Sequence, residues 1–271
     1  MSERFPPLDA RAARRWFARA AESYEGAARL EREVGARMLE RLDYVKLAPR
    51  RILDAGSGPG REAPRLRNRY RDADIIVLDY ALPMLTKVKT GWFQKRPLRV
   101  CADFSRLPLA DHTVELVWCN LALHWANDPL AVLREFERVL SPEGLVLFST
   151  LGPDTLKELR AAAGSARVHA FIDMHDLGDM LVAAGLTAPV MDMELISIDY
   201  RTGEQLLADL RGAGETNARA DRPRGLSARG FLREFRAAPQ RATFEVVYGH
   251  AWKRAPVDAG VKTVRVFKRL P

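Results

Sequence analysis

The chain of 271 residues has only two cysteines, Cys101 and Cys119, in no CxxC spacing and beside no cluster of cysteine and histidine. That excludes a disulfide framework and a structural zinc site, so no metal ligands are expected, and it suits a reducing compartment. The sequence also lacks an apolar run long enough for a signal-peptide core or a membrane span. Its first 21 residues are basic and broken by Pro6 and Pro7, so a cytoplasmic protein with no membrane association is expected. Internal repeats and low-complexity tracts are absent, which excludes solenoids and fibres. Acidic residues are in deficit, 35 Asp and Glu against 43 Lys and Arg, for a formal net charge of +8. That balance favours an acidic partner, whether nucleic acid, an acidic carrier protein or a membrane surface, although a solvated arginine-rich surface explains it equally well. What is present is ample apolar material, 47% of residues, enough to bury the core of one elaborated domain.

Hydrophobic periodicity divides the chain into three parts. From Asp9 to about Val45, apolar positions including Trp16, Phe17, Ala20, Tyr24, Leu30, Val34, Met38 and Leu42 recur at helical spacing, and a break near Glu25-Gly26 predicts two helices. From Arg51 to about Leu151, short apolar runs alternate with helical stretches, the pattern of βαβ units on a parallel sheet. Strands are expected at 52–55, 75–79, 98–101, 114–120 and 145–151, with helices at 61–70, 84–90 and 130–140. Ser141-Pro-Glu-Gly144 reads as the turn before the fifth strand. A further helix at 176–184 and the run 190–198 continue the pattern. The third part, 200–241, is helical and rich in Arg, Gly and Ala, and it precedes a last strand at 244–252. Such an insertion commonly forms a lid over a site. Val261–Phe267 adds a candidate edge strand.

The strand at Ile52-Leu-Asp54 runs into Gly56-x-Gly58-x-Gly60 and then a helix, aiming backbone N–H groups and a helix N-terminus at a ligand. A dinucleotide fingerprint would need Gly or Ala where Arg61 stands. The pattern instead resembles the first motif of class I methyltransferases, with Asp54 near the amino-acid end of S-adenosyl-L-methionine. Asp79, about twenty residues on and at the end of an apolar strand, can accept both ribose hydroxyl hydrogen bonds. Asp103-Phe104 resembles the family's adenine-edge residue and its apolar neighbour. Tyr80 and Asn120 flank these positions and are expected to line the same site.

Asn120-Leu-Ala-Leu-His-Trp125 follows the fourth strand, at the sheet edge where ligands bind in open α/β folds, and marks the acceptor side. It contains neither the Asn-Pro-Pro-Tyr of amino-directed base methylation nor a Pro-Cys nucleophile, and no RNA-binding motif accompanies it, so no nucleic-acid substrate is expected. Nearly the whole chain resembles the malonyl-acyl-carrier-protein O-methyltransferases of biotin synthesis. The resemblance rests on Phe17-Ala-Arg-Ala-Ala-Glu-Ser-Tyr24, the glycine loop, Leu82-Pro-Met-Leu85, Leu107-Pro-Leu109, Asn120–Trp125, Phe148-Ser-Thr-Leu151 and Thr155–Leu159. Leu210-Arg-Gly-Ala-Gly-Glu-Thr-Asn217 and the run around Arg222-Pro-Arg224 are its most specific part. Ser57, Tyr80-Ala81 and Ala102 depart from the usual pattern.

The resemblance implies an α/β, Rossmann-like class I methyltransferase, mostly parallel with an antiparallel last strand, a helical flap at 1–48, a cofactor-binding core at 49–199, a helical lid at 200–243 and final strands at 244–271. S-adenosyl-L-methionine is the implied cofactor and malonyl-acyl carrier protein the implied acidic partner. A malonyl carboxylate is ionised at pH 7 and needs no metal or general base to attack a sulfonium methyl. Tyr24, His124, Trp125 and Arg222 are candidates for shaping the acceptor slot, and Arg219, Arg222, Arg224 and Arg229 for meeting the carrier protein. Gly152–Arg160 and Asp173–Leu181 also resemble arginine-hydroxylating assembly factors of respiratory complex I, which leaves a second acceptor open. A non-enzymatic module that only retains the pocket is a third reading, disfavoured by the intact Asp54, Asp79 and Asp103.

Overall fold

The computed structural model describes residues 6–89, 95–223, 233 and 235–255. Seven strands form one sheet: β1 (Arg51–Ala55), β2 (Asp74–Asp79), β3 (Leu98–Cys101), β4 (Val114–Cys119), β5 (Leu140–Leu151), β6 (Leu186–Tyr200) and β7 (Gln240–Lys253), in the spatial order β3-β2-β1-β4-β5-β7-β6. The first five pair in parallel, and β7 runs antiparallel to both neighbours, as expected of the last strand. The inner strands β1, β2, β4 and β5 are covered on both faces, which is why they read as nearly unbroken apolar runs, whereas the edge strands β3 and β6 are largely exposed. Successive residues face opposite sides of the sheet. Ile52, Trp118, Leu145 and Leu147 join one core cluster, while Leu53, Val117, Cys119 and Phe148 join the other. The strand order reverses between β1 and β4, and the crevice beyond their carboxyl ends is where ligands bind in such sheets.

Nine helices surround the sheet among the described residues: α1 (Ala10–Ala20), α2 (Tyr24–Ala27), α3 (Arg29–Arg41), α4 (Ala63–Arg69), α5 (Leu82–Thr86), α6 (Pro129–Val139), α7 (Lys157–Ala163), α8 (Met174–Ala183) and α9 (Gly203–Gly212). Side-chain caps set several starts. Asp9 accepts from Ala12 N, Asp128 from Ala131 N, Asp173 from His175 N and Thr202 from Gln205 N. No helix among the described residues is long and apolar enough to cross a membrane.

Three expectations are corrected. The N-terminal segment forms three helices, because the chain bends at residues 21–23 and again at Ala28 (φ −74°, ψ 64°). Ser141–Gly144 is no connecting turn. It is a bulge inside β5, where Val114 pairs Leu140 while Leu116 pairs Leu145, and Glu143 takes a left-handed φ of 61° to accommodate the extra residues. Helix α7 was not anticipated. It starts after a left-handed Leu156 (φ 53°) without a side-chain cap, so neither usual signal is in the sequence. The candidate strand at 261–267, with Arg224 and Arg229, lies outside the described residues.

Candidate functional site

Two cavities meet above the reversal point. The first, about 360 Å3, is lined by Gly56, Gly58, Asp79, Tyr80, Asp103, Phe104 and Asn120 from the sheet edge and by Phe17, Tyr24 and Glu215 from its roof. The glycine loop forms the floor. Gly56 has φ 73°, and a β-carbon there would lie 2.4 Å from Ala122 Cβ, so the position requires glycine for both conformation and space. Gly58 has φ 54°, a left-handed conformation that favours glycine, and the Tyr24 ring lies over it at contact distance, 3.6 Å from where a β-carbon would stand. Gly60 does not line the cavity. It packs against Val88 and Val77 beneath the loop.

Asp79 holds the loop and faces the cavity at once. Its Oδ2 accepts from Gly58 N at 2.9 Å and its Oδ1 from Ala81 N at 2.7 Å. Burial pushes its pKa up to about 6, against the opposing pull of those two N–H donors. Each carboxylate oxygen keeps a second lone pair for a ligand hydroxyl. Asp103 uses Oδ1 on Ser105 N and Oγ, at 2.8 and 2.7 Å, which fixes the side chain beside Phe104 at the cavity wall. Asp54 lies below, only 2% exposed, with Oδ2 unpartnered. Burial, then Glu62 and Asp79, hold its pKa well above the usual carboxylate range. The left-handed glycine cradle and the orphaned acid beneath it fit the polar end of S-adenosyl-L-methionine.

The roof is built by distant segments. Ser23 Oγ donates to Gly212 O at 3.0 Å, Asp9 N to Ala218 O at 2.7 Å, and Gly214 abuts Phe17 so closely that a β-carbon would fall 2.6 Å from the ring. Flap and lid therefore close the crevice together. Tyr24 sits in this roof with its pKa well above 10, raised by burial first and then by Glu31 and Glu215.

The second cavity, about 440 Å3, shares Leu121 and Glu215 with the first. Its walls are mainly apolar, from Leu151, Leu156, Leu159, Phe171, Leu207 and Phe244, with Arg167, Arg211 and Arg236 also lining it. The turn Leu123–Trp125 serves both spaces. Trp125 faces the first, packed edge-on against Phe17 and His169 with ring centroids 4.9 Å apart in each pair, and His124 faces the second. Both ring nitrogens of His124 are buried without a partner. His169 is neutral at pH 7, its pKa pushed down to about 3 by burial and then by His124 and Arg219, and its Nε2 accepts from Ala218 N.

The structure thus brings Tyr24, Trp125, Gly56, Gly58, Asp79, Tyr80, Asp103, Phe104 and Asn120 around one cavity and turns His124 into its neighbour. Asn120 has its amide committed, with Nδ2 donating to Glu31 O at 2.8 Å and Oδ1 accepting from Ser149 Oγ at 2.9 Å. Arg222 lines none of the cavities described. Its guanidinium donates to Arg219 O at 2.6 Å and faces Asp9 Oδ2 at 3.5 Å, tying the lid to the α1 cap. Arg219 is turned inward, onto Asp221 and the carbonyls of Ser165 and Val168, so it is no docking cation. Sequence reasoning missed Glu31, Leu121 and Glu215 as site residues. Leu121 and Glu215 each had a signal, their places in the acceptor-side segment and in the lid's recognisable segment, and Glu31 had none.

Residues 53–148 match the family of methyltransferase domains. The malonyl-acyl-carrier-protein O-methyltransferase of Methylovorus sp. (strain MP688) is 48% identical over 266 residues, 91% of this chain and 90% of that protein. Its namesake from Legionella pneumophila is 42% identical over 91% of this chain and 93% of the other. Among solved structures, the YcgJ protein from Bacillus subtilis has a TM-score of 0.60 at 19% identity, across 83% of this chain and all of that one, a likeness of fold.

Proposed function

The chain belongs to the family of malonyl-acyl-carrier-protein O-methyltransferases, and from that membership we propose that it esterifies the free carboxylate of malonyl-acyl carrier protein in biotin synthesis. S-adenosyl-L-methionine, when bound, supplies an electrophilic methyl group on a sulfonium. The observation that carries the reading is the pair of adjacent cavities: a glycine-floored pocket for a nucleoside shares Leu121 and Glu215 with a largely apolar chamber under the lid. Arginine hydroxylation gains no support from these relatives.

In this reading Asp79 takes the ribose hydroxyls, Asp103 and Phe104 hold the base, and Gly56 and Gly58 let the backbone approach the amino-acid end. Tyr24, Phe17 and Trp125 exclude water from the crevice. Drying the chamber strips solvent from a carboxylate that is already ionised, so positioning and desolvation supply the rate and no base is required. His124, buried with both nitrogens unpartnered, is the group available to hydrogen-bond the acyl end. An acidic carrier protein suits the +8 charge of the chain, and Arg167, Arg211 and Arg236 beside the chamber, the last two about half exposed and sharing Glu204 as an ion-pair partner, are described cations that could meet it. A cytoplasmic setting fits the two unpaired cysteines.

Mass spectrometry of malonyl-carrier protein incubated with the protein and S-adenosyl-L-methionine tests this directly. A gain of one methylene is expected, undiminished by a strong chelator, with a Michaelis constant that rises with salt. An unmodified acyl group, or modification elsewhere on the carrier, would overturn the acceptor assignment.

A further inference from the structure

Two carboxyl groups at the junction of the cavities have no part in the mechanism above. Glu31 lies in the first turn of α3 and lines the chamber, while Glu215 lies in the lid loop after α9 and lines both spaces. The loop ending β4 lies between the two cavities and holds the backbone of Glu31. Asn120 Nδ2 holds Glu31 O at 2.8 Å, and Leu121, the other residue shared by both cavities, is kept in a left-handed conformation (φ 45°) that is costly for a leucine.

The charged and titratable neighbours include Tyr24 and Tyr80 from the flap and the β2 end, Tyr200 at the end of β6, Asp79, Arg32, Arg61 and His124, and Arg167, Arg211 and Arg236 line the chamber beyond them. Arg61 and Arg32 offset part of the junction's negative charge, and the Arg61 guanidinium is shared with Ala28 O and Glu25. His124 stands 3.8 Å from Glu215 through Nε2, its side chain 3% exposed and both nitrogens without hydrogen-bond partners, so it aims unspent polarity at the same point. Burial, and then the charge of Glu215, push Glu31 up to about 8, so the two acids are not both ionised at neutral pH.

A methyl group passing from one cavity to the other must cross this point. In the transfer a carboxylate oxygen forms the new O–C bond as the C–S bond breaks, its electron pair staying on sulfur, so an anion and a cation become two neutral groups and no proton moves. Before that step the junction meets a sulfonium; after it, a neutral thioether. An acidic residue here therefore repels the incoming acceptor in one state and is offset by the donor's cation in the other.

We infer that Glu215 is a charge filter: it admits an anionic acceptor only while a cation occupies the donor cavity, which makes acceptor binding follow donor binding and bars a second acceptor from the product complex. The inference rests on the acceptor being a carboxylate. It adds a specificity-determining residue to the reaction and predicts a coupling between the two cavities that shape complementarity alone would not give.

Calorimetric binding of malonyl-pantetheine to protein saturated with sinefungin, whose ammonium replaces the sulfonium, is compared with binding to protein saturated with S-adenosylhomocysteine. The cationic state should bind it roughly tenfold more tightly, Glu215→Asp should keep most of that preference, and Glu215→Gln should reduce it to within about twofold of parity. An equal preference in Glu215→Gln, parity in the unaltered protein, or loss in both variants, which would point to shape, overturns the filter. A second arm needs no acceptor: Glu215→Gln should lower sinefungin affinity relative to that of the neutral thioether, and an unchanged ratio overturns the filter. Should malonyl-pantetheine neither bind nor be methylated, the acceptor reading fails while this second arm still decides the role of Glu215.

Discussion

The two adjoining cavities are built by different means. On the floor of the donor pocket the polar groups come from strand ends and the loops that follow them, and Asp79 and Asp103 are fixed within a few residues or by the neighbouring strand: Asp79 by Gly58 and Ala81, Asp103 by Ser105. The chamber proposed for the acceptor is assembled from α3, the β4 loop, α7, α9 and the lid loop, and one of its junction groups, His124, has both ring nitrogens unpartnered. A pocket made of local backbone geometry is rigid and breaks all at once when that geometry is spoiled. A chamber made of remote side chains loses function in graded steps.

The most severe test of this contrast is Gly56→Val. A β-carbon there collides with Ala122 at 2.4 Å, at a φ that a β-branched residue does not adopt. Saturable binding of S-adenosylhomocysteine in a calorimeter should vanish, a loss of more than about 100-fold, on the order of 2.8 kcal/mol. Retained binding would mean that the loop is not the donor floor.

Asp79→Ala comes next. It removes the ligand-facing carboxylate and one anchor of the glycine loop, for a loss on the order of 1–3 kcal/mol in donor affinity. The same residue gives the donor pocket a pH signature. Its pKa in the free protein is about 6, and ligand hydroxyls donate to the ionised form. Donor affinity should therefore be full above that value and fall as the pH drops below it. Titrations of the unaltered protein and Asp79→Asn between pH 5 and 8 check the sign; a pH-independent affinity in the former would remove Asp79 from ligand contact.

His124→Ala should act on the other side of the comparison only. Loss of one hydrogen bond to the acyl end, on the order of 1 kcal/mol, raises the Michaelis constant for the malonyl substrate about fivefold. Affinity for S-adenosylhomocysteine stays within about twofold. If both fall together, the two cavities are not separable.

The same contrast explains what the sequence revealed. Strands β1, β2 and β4 and the glycine loop were legible because a strand buried on both faces is a nearly unbroken apolar run and a left-handed turn demands glycine, both local signals. The β5 bulge was read as a turn because Pro142 and Gly144 carry the same signature in either setting. Glu31 stayed hidden because an acid in a helix's first turn is ordinarily a solvated partner of the helix dipole. Only the meeting of residues 31, 121 and 215 makes it a buried junction group. Arg222 was placed in the slot on the strength of its segment, and the fold sends its side chain elsewhere.

Arg222→Ala carries the smallest expected effect and marks where the chamber ends. The guanidinium holds Arg219 O and faces Asp9 across 3.5 Å, with the two side chains 19% and 30% exposed. Solvent screens much of such a pair, and Asp9 keeps its Ala12 N–H cap without it. Loosening the lid at this one point should lower the melting temperature by under about 3 °C, and the turnover number for malonyl-carrier protein should change by less than about twofold. A large rise in the Michaelis constant for both carrier-linked and free malonyl thioesters, with little change in melting temperature, would show Arg222 reaching the acyl group once the acceptor is bound. The chamber would then extend through the lid loop to the cap of α1, and the two cavities would share a roof residue beyond Glu215.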